Sequence, residues 1–199
     1  MTKDHDVIEL HARSVEEFLA RVAGVAPDAW GRPTPCVDWD VRTLVNHVVG
    51  EERWAVPLLE GRTIAEVGDS LDGDLLGADP SRAAQRAGRA AVEAFSAAGA
   101  RDRTVHLSFG DTPASEYAWQ LFTDHLVHGW DLAAATGWST SLDDDLVEAC
   151  AGWWAGREEL YRGAGAVAER VDVGPGASPQ DRLLASFGRD PAWSAGRVA

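Results

Sequence analysis

The stretch from Pro113 to Thr136 is apolar on both sides of a helix, and this restricts the possible folds more than any other feature of the chain. Projected at 100° per residue, Trp119, Phe122, Leu126 and Trp130 fall on one side, with Tyr117, Leu121, Asp124, His125, His128, Asp131 and Leu132 on the other. Both sides must be largely buried. An acid and a histidine bracketed by Tyr117, Leu121 and Leu132 on an inward face are costly unless they are paired or coordinated. A cation would satisfy both at once.

The rest of the chain supplies helices to surround this one. Ile8, Val15, Phe18, Leu19 and Val22 recur at helical spacing, giving a first helix over 6–24 that Gly24 and Pro27 stop. A proline-framed connector, Pro33-Thr34-Pro35-Cys36-Val37-Asp38-Trp39-Asp40, leads into a helix over 40–60, where Asp38 or Asp40 can cap the exposed amides. Residues 61–78 are rich in Gly and Asp and read as a loop holding at most a short turn of helix, able to lie over a pocket. Asp79-Pro80-Ser81 starts an alanine-rich helix to about residue 98, and Thr104–Phe109 alternates like a strand of a short hairpin. A further helix is expected from Asp143 to Tyr161, and a short one from Ser178-Pro179 to Gly188. The expected architecture is all-α, an antiparallel helical bundle over 1–162 with a C-terminal extension over 163–199 packing on the same domain.

With 199 residues, 45% of them hydrophobic and nine of them tryptophan, the chain can build one substantial core. Its net charge of −14 repels a phosphate backbone and an anionic membrane surface alike, which argues against nucleic acid and membrane as partners. Cys36 and Cys150 are the only cysteines and make no CxxC spacing, and the opening Met1–Asp6 carries no basic and apolar leader. A reducing, cytoplasmic setting is expected.

Three residues stand out as ligands. Asp124 and His128 are four apart, so their Cβ atoms lie about 5 to 6 Å apart on one helix face. His47 sits in the apolar arc of the 40–60 helix with Leu44, Val48 and Trp54. Two histidines and one carboxylate leave coordination positions open, as sites that do chemistry require. The plainer alternative is a buried ion pair between Asp124 and His128, with His47 satisfied by a backbone carbonyl. His125 is a competing ligand at the edge of the same face, and Asp131 is placed to hydrogen-bond an imidazole from behind. Glu51 projects close to the ligand face as a candidate general base or a solvated carboxylate. Cys36 has no basic neighbour in sequence to lower its pKa and reads as structural, Cys150 reads as core, and His106 is given no role.

Four segments carry a family resemblance: Pro33–Arg42, Leu44-Val45-Asn46-His47-Val48-Val49-Gly50, Leu126-Val127-His128-Gly129-Trp130-Asp131-Leu132-Ala133, and Ser178-Pro179-Gln180-Asp181-Arg182-Leu183-Leu184. In this order they resemble the DinB-like metal-binding four-helix-bundle superfamily, in the actinobacterial branch related to the N-terminal domain of mycothiol-dependent maleylpyruvate isomerase. The resemblance implies a divalent metal on His47, Asp124 and His128, zinc by default with nickel, iron or manganese as alternatives. It also implies a low-molecular-weight thiol such as mycothiol, and a transferase or isomerase reaction on an electrophilic small molecule. The family's acid is usually glutamate. Asp124 is one methylene shorter, so the helices sit closer, a water intervenes, or the metal is weak or absent. The isomerase's additional C-terminal domain is expected to be absent. Two other functions stay open: a non-enzymatic module that binds a small apolar ligand or forms a homodimer through tryptophan-rich faces, and a metal-dependent hydrolase using Glu51 as base.

Overall fold

The computed structural model describes residues 6–195, so the Met1–His5 part of the opening segment lies outside the described residues. The elements are α1 (Val7–Ala23), α2 (Val41–Leu59), α3 (Ile64–Val67), α4 (Pro80–Ser96), a 3₁₀ turn (Ala100–Asp102), β1 (Thr104–Leu107), β2 (Gly110–Pro113), α5 (Ala114–Thr136), α6 (Asp144–Trp154), α7 (Glu158–Gly163) and α8 (Pro179–Ser186). The fold is the all-α DinB-like bundle, with one small antiparallel hairpin among the described residues.

Helices α1, α2, α4 and α5 make the bundle. Both α1 and α2 pack against α4 on one side and α5 on the other. Two buried clusters hold them together: Phe18, Val22, Leu44, Val45, Val48 and Leu132 toward one end, and Leu58, Phe95, Val105, Tyr117 and Leu121 toward the other. Gly88 sets the α1–α4 distance, since a Cβ there would stand 2.8 Å from Val15 Cγ1. Helix α5 is buried on most of its circumference from Tyr117 to Ala135, as its two apolar sides require. It ends where Gly137 takes a left-handed φ of 81°.

The fifth expected helix, Asp143 to Tyr161, is broken. Gly156 takes φ 80° after α6 ends at Trp154, and the chain restarts as the short α7. Arg157 holds the break, its guanidinium 4.9 Å from the Trp153 ring and bonded to Glu116 of α5. A third buried cluster unites Phe122, Leu126 and Trp130 of α5 with Leu146 and Trp154 of α6 and Leu183, Leu184 and Phe187 around α8. Trp154 stacks on Phe187 with centroids 4.1 Å apart. The C-terminal segment is thereby fastened to the outer flank of α5. No helix among the described residues is long and apolar enough to cross a membrane.

Candidate metal centre

The proline-framed connector is a compact turn rather than a loose loop. Pro33 bridges Asp40, the Thr34 hydroxyl donates to the carbonyl of Trp39 at 3.0 Å, and Asp38 adopts φ 67°. This places Trp39 over two histidines: its ring lies 4.8 Å from that of His47 and stacks on that of His128 at 5.6 Å, 27° from parallel. Asp40 then caps α2, accepting from the Thr43 amide at 2.7 Å.

Helix α2 brings His47 to α5. His47 Nε2 lies 3.5 Å from Asp124 Oδ1, and His128 Nε2 lies 3.3 Å from the same oxygen. Ligands about 2.0 to 2.2 Å from one tetrahedral ion stand about 3.3 Å from each other, so these separations match a shared cation better than a hydrogen-bonded trio. Asp124 Oδ2 is buried and has no partner. The shorter acid is accommodated by close approach of the helices, since Asp124 reaches both imidazoles directly. The side chains of His47 and Asp124 keep 31% and 25% exposure, so the cluster has an open side toward solvent.

His128 is held from behind. Its Nδ1–H donates to Asp131 Oδ2 at 3.0 Å, which turns Nε2 toward Asp124. Asp131 is itself fixed by Arg189, from the segment after α8, at 2.8 Å. Burial alone would lower the His128 pKa, but the charge and hydrogen bond of Asp124, with Asp131 behind, outweigh it and raise it to about 9. Burial opposes ionisation of Asp124, yet the two imidazoles hold its carboxyl well below the usual range. Glu51, one turn beyond His47, is raised by burial and by the Asp124 charge.

His125 does not join this set. Its position next to Asp124 turns it about 100° around α5, where its Nε2 meets Glu52 Oε1 at 3.0 Å, and His11 Nε2 meets that oxygen at 3.0 Å from α1. Neither His11 nor Glu52 is among the ligands that the sequence alone points to. The signal was present: His11, Val15, Phe18 and Val22 form one stripe, as do Val48, Glu52, Ala55 and Leu59.

Cys36 is half-buried in the turn before α2. The basic neighbour it lacks in sequence is supplied through space by Arg189, although burial still raises the thiol's pKa. Cys150 is core, 3.5 Å from the Thr123 hydroxyl. The 61–78 loop is strapped along α2. Arg42 binds Asp74, the Asn46 amide donates to the Gly73 carbonyl, and the Leu75 amide donates to Asn46 Oδ1 at 2.8 Å, one residue before His47.

Comparison with known proteins places the chain in a family. The family described as mycothiol maleylpyruvate isomerase N-terminal domain matches residues 11–133, a span that holds all three residues of the first cluster. Two uncharacterized proteins of Mycobacterium tuberculosis, from strains CDC 1551 and H37Rv, are each 36% identical over 190 residues, covering 92% of this chain and 98% of their own length. No solved structure matches the chain.

Proposed function

The chain belongs to the mycothiol maleylpyruvate isomerase N-terminal domain family, and on that premise we propose that it is a metal- and thiol-dependent transferase or isomerase acting on an electrophilic small molecule. The observation that carries this reading is the spacing of His47 Nε2 and His128 Nε2 around Asp124 Oδ1, at 3.5 and 3.3 Å, beside an unbonded second oxygen. His47, Asp124 and His128 are the ligands in this reading, and a divalent ion there, with zinc the first choice, would lower the pKa of a thiol or water and polarise a carbonyl.

The protein's own residues have separable tasks. Asp131 fixes the His128 ring direction, so that Nε2 is the nitrogen presented to an ion. Trp39 covers the two imidazoles on one side and keeps water from that face. Glu51, its pKa raised by burial and the Asp124 charge, would be the base that takes a proton from the thiol or from a substrate carbon. Residues 163–199 belong to the same unit as 1–162 in this reading, because Arg189 supports Asp131 and so His128. Mycothiol is the thiol suggested by the family name, and a reducing cytoplasm is the compartment it needs.

The test is elemental analysis of untagged wild type, His47→Ala and Asp124→Ala, with circular dichroism to verify the fold, followed by binding of mycothiol to the metal-loaded protein. Loss of the metal held by His47, Asp124 and His128, about one equivalent, together with thiol binding in folded variants is the expected result. A wild type that takes up no zinc, nickel, iron or manganese would sink the proposal and leave a non-enzymatic bundle. Glu51→Gln should keep the metal and lower turnover by about 10²- to 10⁴-fold. Turnover with no added thiol would instead identify a hydrolase.

A further inference from the structure

His11 of α1, Glu52 of α2 and His125 of α5 meet in the middle of the bundle at 0%, 2% and 2% exposure. Both imidazole Nε2 atoms lie 3.0 Å from the same carboxylate oxygen, and the three ligand atoms lie within 4.8 Å of one another. Nothing in the first cluster explains this one, since the two sets share no residue.

On the α5 side a ring lone pair faces the carboxylate. His125 Nδ1–H donates to the Leu121 carbonyl at 2.8 Å, so its neutral ring presents a bare Nε2 to Glu52 Oε1. A backbone carbonyl behind one ring nitrogen is also how metal-binding histidines are held. Both rings are buried, which favours the neutral form that a ligand must have. Burial raises Glu52 to about 7. A single proton between Oε1 and His125 would satisfy that contact, but Glu52 Oε2 would still have no partner, and neither would the nearby buried Tyr117 hydroxyl. A buried carboxylate oxygen without a hydrogen bond is costly.

We propose that His11, Glu52 and His125 form a second metal site, structural in role, which takes one zinc-like divalent cation and ties α1, α2 and α5 together. Two imidazoles and both oxygens of Glu52 would supply four donor atoms from protein alone, and with the cluster sealed in the core no coordination position is open to substrate. The 3.0 Å separations need to open by about 0.3 Å to surround such an ion. Glu51-Glu52 and Asp124-His125 thus act as paired switches of direction. On α2 and on α5, one residue serves the solvent-facing cluster and its neighbour serves the sealed one.

The test is zinc stoichiometry on chelator-stripped, zinc-reconstituted protein. Wild type should bind about two equivalents, and the near-isosteric Glu52→Gln about one. The double variant His47→Ala/Asp124→Ala, with the first cluster disabled, should still bind about one equivalent and melt at a higher temperature with zinc than without. Adding His11→Gln to that background should abolish both effects. Equal zinc in wild type and Glu52→Gln, or none in the folded double variant, would overturn the proposal. If wild type holds one equivalent that Glu52→Gln loses and the double variant keeps, this site stands and the first falls. The opposite pattern leaves the first site standing and removes this one.

Discussion

Arg189 grips Asp131 from 58 residues away, its Nη2 donating at 2.8 Å to Oδ2 and its Nε at 3.2 Å to each oxygen, while the same Oδ2 accepts from His128 Nδ1. Asp131 is wholly buried, so its charge depends on this partner. Arg189→Met keeps much of the side-chain volume and removes the guanidinium, leaving the buried carboxylate to be compensated by His128. It should cost about 3 to 5 kcal/mol in chemical denaturation. Because His128 then loses a fixed orientation, zinc affinity should also fall by about 10- to 100-fold. Asp131→Asn keeps a hydrogen-bond acceptor and should weaken the metal with a smaller loss of stability. Unchanged zinc affinity in both variants would mean that the relay has no bearing on the site.

The same relay predicts a pH dependence. In metal-free protein His128 is raised to about 9 from its ordinary 6.5, so the protonated ring is bound more tightly in the folded state than in the unfolded one. That contribution is fully present below about pH 6.5 and is lost as pH rises through about 9. Chelator-treated protein should therefore lose stability across this window, and Asp124→Asn should flatten the loss. Zinc and the proton compete for the same Nε2, so affinity should rise with pH by about tenfold per unit until about pH 9. Isothermal titrations at several pH values measure it directly.

Trp39 offers an optical reading of the site. Its ring contacts both His47 and His128, whereas Trp130, Trp153 and Trp154 lie in the buried cores. Filling the cluster changes the charge and protonation of two imidazoles against one indole. Metal titration should change tryptophan fluorescence, and Trp39→Phe should remove most of that change while leaving zinc stoichiometry intact. A change that persists in Trp39→Phe would place the sensing indole elsewhere.

The extent to which this architecture was legible follows from the range of each interaction. Local signals carried the helices: the stripe Val15, Phe18, Val22, the Asp79-Pro80 start and the two-sided apolarity of 113–136 all lie within one element. The hairpin was half legible, because Thr104–Leu107 alternates while its partner Gly110–Pro113 carries no apolar pattern. His47, Asp124 and His128 were nominated from an i, i+4 pair and an inward histidine, and they do converge in space. The break at Gly156 was not legible, because it depends on Arg157 reaching Glu116 on another helix. Arg189 beside Cys36 and Asp131 is a contact across most of the chain, and nothing near Cys36 in sequence announces it. His11 and Glu52 were legible in principle, as polar residues interrupting apolar stripes, but each alone looks like noise until α1, α2 and α5 are brought together.

Gly88 shows how narrowly the bundle is spaced. It is buried on α4, and a Cβ there would meet Val15 Cγ1 at 2.8 Å and Leu19 Cδ1 at 3.4 Å. Glycine in a helix interior costs about 1 kcal/mol relative to better helix formers, so its place here reflects close approach of α1. Gly88→Leu regains that propensity yet forces the two helices apart, and overpacking of this kind costs about 1 to 3 kcal/mol. The net effect should be destabilising in urea denaturation. Val15→Ala alone should also destabilise by removing buried methyls, whereas Val15→Ala/Gly88→Leu should lose well under the sum of the two, since the truncated residue 15 makes room for the larger side chain at 88. His11 lies one turn before Val15 on α1, so a shift of that helix should also loosen the His11–Glu52 contact. Zinc stoichiometry in Gly88→Leu should then fall selectively at the sealed cluster, leaving the solvent-facing one filled.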